Sequence, residues 1–309
     1  MKTHIFQSFL LGVFLLLTAC SQAPQEQRSP IKRVIVIGID GMSPDGIANS
    51  PTPVMDSVVQ QGASTMTARG VLPTSSSPNW KSMISGSDTE QHGVTSNKWQ
   101  KDNFVLPGAT KGMDDIYPTI FGILRQQRPE SKMGAIYDWK GFGRLVEQSA
   151  LDYDSYKATG KEELTEDETA DLAVNYIQSE KPDLLFVHFD HVDHAGHQHE
   201  HGSTKYYESV TKADTLIGKL LKASKAAGTY DETLFIISSD HGGVGKKHGG
   251  ETLAEIEIPF MLLGPGVKQG YQIPHQVMTY DNAATVAYAF ELETPYAWIG
   301  RPVKSAFED

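Results

Sequence analysis

Short apolar runs alternate along this chain with stretches of helical periodicity. Residues 35–41 open the pattern: Ile35-Val36-Ile37-Gly38-Ile39 is apolar and largely β-branched, and it stops at Asp40-Gly41. Such a run reads as a buried strand of a parallel sheet. Residues 63–71, 133–137, 184–189, 233–239 and 259–263 read as further strands. Helical patterns occupy 54–60, 79–84, 119–127, 165–178, 204–227 and 282–292. Thr165 and Glu168 have capping-box spacing, Gly228 closes the longest helix, and Asp281 is placed to cap the last one. Residues 86–112 lack periodicity and read as an irregular loop beside a site. Strands alternating with helices imply an α/β fold: a three-layer α/β/α sandwich with a mostly parallel sheet. There is no internal repeat, no heptad pattern and no second hydrophobic span.

The chain has 309 residues, enough for one large domain at 31–309. Residues 1–19 read as a targeting segment, with Lys2 followed by a mostly apolar run at 5–17. Leu17-Thr18-Ala19-Cys20 resembles the lipobox of bacterial lipoprotein signals. That resemblance implies cleavage before Cys20 and lipidation of its thiol. Ser21 stands where an inner-membrane retention Asp would, so the implied location is the periplasmic face of the outer membrane. An ordinary signal peptide or an uncleaved anchor is the alternative. Residues 20–30 are polar and read as a flexible tether. Cys20 is the only cysteine, which excludes an intramolecular disulfide.

A net charge of -11 argues against a nucleic-acid polymer as partner. It leaves small phosphate compounds open, because bound metal ions reverse the local field.

Three separated segments carry side chains suited to metal. They are Asp40, the segment from Asp190 to His197, and Asp240-His241 with His248 following. Carboxylate and imidazole together suit zinc and neighbouring divalent metals. Six of the eleven histidines lie between His188 and His201, and such a tract can bind metal adventitiously. That does not account for an Asp-His pair after a separate buried strand. A fourth segment, Pro73-Thr74-Ser75-Ser76-Ser77-Pro78-Asn79-Trp80, places serines at the mouth of a helix, where N–H groups favour an anion. Taken alone it reads as a turn. No Gly-x-Ser-x-Gly elbow accompanies it, so metal activation of a serine fits better than a Ser-His-Asp triad.

Together these segments resemble the alkaline phosphatase superfamily, in particular its type I phosphodiesterase and nucleotide pyrophosphatase branch, from residue 35 to about residue 303. The resemblance implies an alkaline phosphatase-like fold and a phosphoric ester hydrolase. Asp40 matches the metal-ligand Asp after the first strand. Ser76 matches the nucleophilic threonine of Pro-Thr-x-Thr-x-Pro-Asn, so serine replaces the usual residue. Asn97, in His92-Gly93-Val94-Thr95-Ser96-Asn97, matches a donor to phosphoryl oxygen. Asp193 and His197 match Asp-x-x-Gly-His; Asp190 and His194 share the spacing without the Gly. Asp240 and His241 match Ser-Asp-His-Gly.

The implied machinery is two zinc ions, other divalent metals being possible. Asp40, Asp240, His241 and Ser76 are expected to hold one; Asp193, His197 and His248 are expected to hold the other. His275 competes with His248 for the last place. Ser77 through its backbone N–H, Asn97 and Lys98 are expected to meet the substrate phosphoryl group, with Lys81 as a second flanking cation. The partner is a small phosphate ester, and the membrane contact is the lipid at Cys20. Diesters are expected over monoesters, because no Arg or Lys lies between Val71 and Trp80. A phosphomonoesterase, a sulfatase-like hydrolase and a non-catalytic metal-binding lipoprotein are the alternatives. Trp80 stands where a sulfatase would carry Arg. Residues 86–112 and 139–160 are the insertions placed to read the leaving group.

Overall fold

The computed structural model describes residues 31–308, so Cys20 and the targeting and tether segments lie outside the described residues. Eight strands form one sheet: β1 Arg33–Ile39, β2 Ala63–Arg69, β3 Met133–Tyr137, β4 Tyr153–Asp154, β5 Leu184–Phe189, β6 Thr233–Ser238, β7 Glu257–Leu263 and β8 Tyr271–Gln272. Their order is β4-β3-β5-β1-β6-β7-β2-β8. The run from β4 to β6 is parallel, whereas β7 pairs antiparallel with both β6 and β2. The expected mostly parallel sheet is therefore present, with one reversed strand.

Alternation along β1 explains the two cores. Val34 and Val36 face one hydrophobic cluster, and Ile35, Ile37 and Ile39 face the other. The helices Ser76–Ser85, Ile120–Gln127 and Asp281–Ala289 contribute to the first cluster. The helices Pro53–Gln61, Glu166–Glu180 and Thr204–Ala227 contribute to the second. A strand buried on both faces has to be apolar throughout, which is why β1, β5 and β6 read as continuous runs.

Helix ends follow the local chemistry. Thr165 and Glu168 form the expected capping box, and Gly228 ends Thr204–Ala227 at φ +71°. The last helix departs from expectation. Tyr280 precedes it, and Asp281 is its first residue, accepting from the N–H groups of Met278 and Arg301. It stops at Ala289, and Glu291 turns left-handed at φ +53°. The serine helix starts at Ser76, three residues before the expected 79. Pro78 falls in its first turn, where no intrahelical N–H partner is lost. Residues 86–112, expected to be irregular, contain one helical turn, Thr89–His92, and a 3-10 turn begins at Met113. Among the described residues no helix is long and apolar enough to cross a membrane.

Candidate active site

Parallel strands deliver their final residues to one edge of a sheet. Here Asp40 follows β1, Asp138 follows β3, Asp190 follows β5, and Ser239-Asp240-His241 follows β6. The Asp40 N–H donates to the Phe189 carbonyl at 2.8 Å, which locks the ends of β1 and β5 together. Gly41 then turns at φ +68°, and a Cβ there would stand 2.8 Å from the Asp193 Cα. Only glycine lets the Asp193 segment come this close.

The first ligand group is Asp40, Asp240 and His241, all buried. His241 Nε2 lies 3.4 Å from Asp40 Oδ1, 3.3 Å from Asp240 Oδ2 and 3.3 Å from Ser76 Oγ. A tetrahedral cation with ligands at about 2.0–2.1 Å spaces its ligand atoms by roughly 3.3 Å. The inner oxygens Asp40 Oδ1 and Asp240 Oδ2 have no hydrogen-bond donor among the described residues. Burial, then the charges of Asp40 and Asp193, push the Asp240 carboxyl well above its ordinary range. Three buried carboxylates of one sign, with orphaned oxygens turned toward each other, fit a divalent cation.

The second group is Asp193, His197 and His248. Asp193 and His197 lie four residues apart on the helix His191–His199, hence on one face, with Nε2 3.1 Å from Oδ2. His248 Nε2 is 3.8 Å from Asp193 Oδ1, another buried oxygen without a donor. Burial works upward on Asp193, but the hydrogen bond with His197 and the charges of His241 and His248 outweigh it and hold the carboxyl at about 2.

The three imidazoles share one arrangement. Nδ1–H donates to a backbone carbonyl: Gly242 for His241 at 2.8 Å, Lys246 for His197 at 2.9 Å and Thr74 for His248 at 2.9 Å. A carbonyl only accepts, so Nδ1 carries a proton, and Nε2 is left as the atom that can offer a lone pair to a cation. His275 lies elsewhere, exposed and bonded to Ser305 Oγ at 2.8 Å. Asp190 joins Asp40 and Asp193 in a third carboxylate group, while His194 is exposed against Gln198.

Ser76 opens its helix 5 % exposed. Asn79 holds the preceding turn by donating from Nδ2 to the carbonyls of Val71, Pro73 and Ser75. Thr74 ties that turn to the His248 loop, donating to the Gly250 carbonyl at 2.7 Å and accepting from Gly249 N–H at 3.1 Å. The serine and both ligand groups thus share one braced frame.

The phosphoryl-binding expectations need correction. The Ser77 N–H does not face open space; it donates to Asn97 Oδ1 at 2.7 Å. That bond turns Asn97 Nδ2 toward Ser76 Oγ at 3.5 Å. Lys98 is exposed, and its ammonium has no partner among the described residues. Lys81 is fully buried and donates to the carbonyls of Tyr117 and Leu145, away from the serine. The cation beside Asn97 is Arg144, which sequence reasoning missed.

Three further residues were missed. Trp80 Nε1–H donates to Asp40 Oδ2 at 2.9 Å. His188, fully buried, lies 3.2 Å from the same oxygen and 3.4 Å from Asp138 Oδ1. Burial works against its charge, but the bonds to Asp138 and Asp40 outweigh it and push His188 up to about 10. The one signal was position: His188 is the sole polar side chain in an otherwise apolar, fully buried strand.

The chain resembles known proteins over most of its length. The family described as Type I phosphodiesterase / nucleotide pyrophosphatase matches residues 34–254. GPI ethanolamine phosphate transferase 1 of Candida glabrata is 25% identical over 263 residues, covering 78% of this chain and 28% of that protein. Bis(5'-adenosyl)-triphosphatase enpp4 of Mus musculus is 23% identical over 226 residues, covering 69% of this chain and 48% of that protein. The chain thus spans less than half the length of either relative. An inactive form of murine ectonucleotide pyrophosphatase / phosphodiesterase 5, in complex with AMP, shares the fold with a TM-score of 0.74 at 17% identity, covering 90% of this chain and 100% of that one. The chain belongs to the type I phosphodiesterase / nucleotide pyrophosphatase family, within the alkaline phosphatase superfamily.

Proposed function

We propose that this family member is a metal-dependent phosphoric ester hydrolase that cleaves phosphodiester or nucleotide pyrophosphate bonds through Ser76. The observation that carries the reading is the meeting of Asp40 Oδ1, Asp240 Oδ2 and Ser76 Oγ around His241 Nε2, at 3.3–3.4 Å. A serine built into a metal-ligand group is a nucleophile in waiting. The Asp193, His197 and His248 group stands next to it.

When bound, two divalent cations, zinc by the chemistry of the donor set, would supply the charge that ionises Ser76 and stabilises the leaving oxygen. Asp40, Asp240, His241 and Ser76 would hold one, and Asp193, His197 and His248 the other. The Ser76 Oγ–P bond forms as the bond to the leaving oxygen breaks, giving a phosphoseryl enzyme that water then hydrolyses. Asn97 Nδ2, oriented by Ser77 N–H, donates to a phosphoryl oxygen. The lipobox-like Leu17-Thr18-Ala19-Cys20 supports a lipid-anchored protein on the periplasmic face of the outer membrane.

Purified protein reconstituted with zinc should contain about two equivalents by elemental analysis, as two ligand groups require. It should hydrolyse chromogenic phosphodiesters and lose activity on chelation. Full activity in metal-free protein, or no hydrolysis of any phosphate ester, would overturn the reading.

A further inference from the structure

Arg144 follows the short helix Lys140–Gly143, in the insertion between β3 and β4. Its Nη2 donates to Ser77 Oγ at 3.0 Å and to the Asn97 carbonyl at 2.6 Å. These are the residues that bracket the nucleophile: Ser77 follows Ser76, and Asn97 Nδ2 points at Ser76 Oγ. Arg144 is therefore fastened to the Asn97 flank of the serine. Both of its partners are neutral.

The charge of Arg144 is otherwise uncompensated. Among the described residues no carboxylate pairs with it, and its Nε is buried without a hydrogen-bond partner. Burial alone lowers its hold on the proton, and no neighbouring carboxylate offsets that. A half-buried guanidinium with no counter-ion is costly unless an anion arrives. The group is also held in one orientation. It lies over the Trp139 ring, 5.6 Å from the centroid, and Trp139 in turn stacks on His188 at 6.1 Å and 28°. With both Nη2 N–H groups engaged and Nε buried, the fixed guanidinium presents Nη1 in a set direction, which suits one charged phosphoryl oxygen.

Charge counting gives this residue a role. Two divalent cations would be offset by Asp40, Asp193, Asp240 and ionised Ser76. A diester brings one negative charge to the phosphorus, and a monoester brings up to two. The second charged oxygen needs an added cation. Neither Lys81 nor Lys98 is placed to serve; Arg144 is.

We propose that Arg144 is a specificity-determining residue that binds a charged phosphoryl oxygen, so that the same site also cleaves phosphomonoesters. The proposal rests on the reading of Ser76 as nucleophile. The Ser76 Oγ–P bond forms while the bond to the leaving alcohol oxygen breaks, and the serine proton leaves with the alcohol. Water then cleaves the Oγ–P bond, restores the hydroxyl proton and releases inorganic phosphate.

The test compares kcat/KM for p-nitrophenyl phosphate and for p-nitrophenyl phenyl phosphate, at one pH and metal load, in wild type, Arg144→Ala, Arg144→Gln and Arg144→Lys. Wild type should cleave both. Arg144→Ala and Arg144→Gln should lose about 100-fold on the monoester, as when one donor to a developing charge is removed, and much less on the diester. Arg144→Lys should recover part of the loss. Calorimetric binding of inorganic phosphate should weaken in the same order, and an unchanged far-UV circular dichroism spectrum and Tm certify the fold of each variant. Equal losses on both esters, no loss on the monoester, or a wild type that cleaves only diesters would overturn the role of Arg144. A wild type inactive on both esters would overturn the hydrolase reading instead.

Discussion

Trp80 and Asp40 are joined by one hydrogen bond that divides the labour of a carboxylate. The indole N–H donates to Asp40 Oδ2 at 2.9 Å, and His188 approaches the same oxygen at 3.2 Å. Oδ1 is left without a donor and faces His241. Outer oxygen braced and inner oxygen free is the arrangement that orients a ligand carboxylate toward a cation. Gly38 makes room for it, since a Cβ there would stand 2.5 Å from the Trp80 ring.

Trp80→Phe keeps the packing against Phe142 and Phe186 and removes only the N–H. Metal affinity in the Asp40 group should fall about 10- to 100-fold, as for other braced ligands, with the far-UV circular dichroism unchanged. Competition with a chromophoric chelator measures it. An unaltered affinity would show that His188 suffices to orient Asp40.

The serine register has a direct check. Ser76→Ala should lower turnover by roughly a thousandfold or more, because the covalent route is removed. Ser75→Ala should be mild, since Ser75 serves as N-cap without a side-chain bond to the helix. Ser77→Ala loses the hydroxyl that Arg144 holds but keeps the N–H that orients Asn97, so its effect should lie between. Steady-state rates on one diester decide the order. Three equal losses would place the nucleophile elsewhere.

Much of this site was legible because strand chemistry is legible. The apolar runs of β1, β5 and β6 end in Asp or Asp-His, and parallel pairing then brings Asp40, Asp190, Asp240 and His241 to one edge. The helix His191–His199 has too few apolar positions to show a period in the sequence; its ligand spacing, four residues from Asp193 to His197, is itself about one helical turn. Trp80 read only as the residue standing where a sulfatase has Arg, with no sign of its bond to Asp40. Arg144 carried no signal at all: a lone Arg in an aperiodic insertion meets Asn97, 47 residues earlier, only through tertiary contact. The reversal of β7 likewise depends on its pairing with β2, not on its composition.

His248 and His275 can be separated by metal count. His248 Nδ1–H is fixed by the Thr74 carbonyl, and its ring stacks on His241 at 3.8 Å. His248→Ala should therefore lose about one equivalent of zinc, the content of one site, and most activity. His275→Ala should keep both ions, because His275 is exposed and bonded to Ser305. Elemental analysis of the two variants reads the outcome, and reversed counts would move the ligand to His275.

Lys81 gives a prediction about stability rather than turnover. Its ammonium is fully buried, donating to the carbonyls of Tyr117 and Leu145 at 2.8 and 3.0 Å. Burial lowers its pKa from 10.5 to about 7, against the opposing pull of Glu147. Below about 7 the folded and unfolded chains both hold the proton, and the folded chain bears the full cost of a buried charge. Between about 7 and 10.5 the unfolded chain keeps a proton that the folded chain has released. Stability then rises with pH, because the unfolded state binds more protons. Lys81→Met removes the titrating group while keeping the length of the side chain. It leaves the two carbonyls unpartnered, so its absolute stability is not the readout; the slope is. Urea unfolding across this pH window should show a rising contribution in wild type that Lys81→Met lacks. Parallel curves for the two proteins would mean that Lys81 stays charged in the folded core, with Glu147 as its lasting counter-ion.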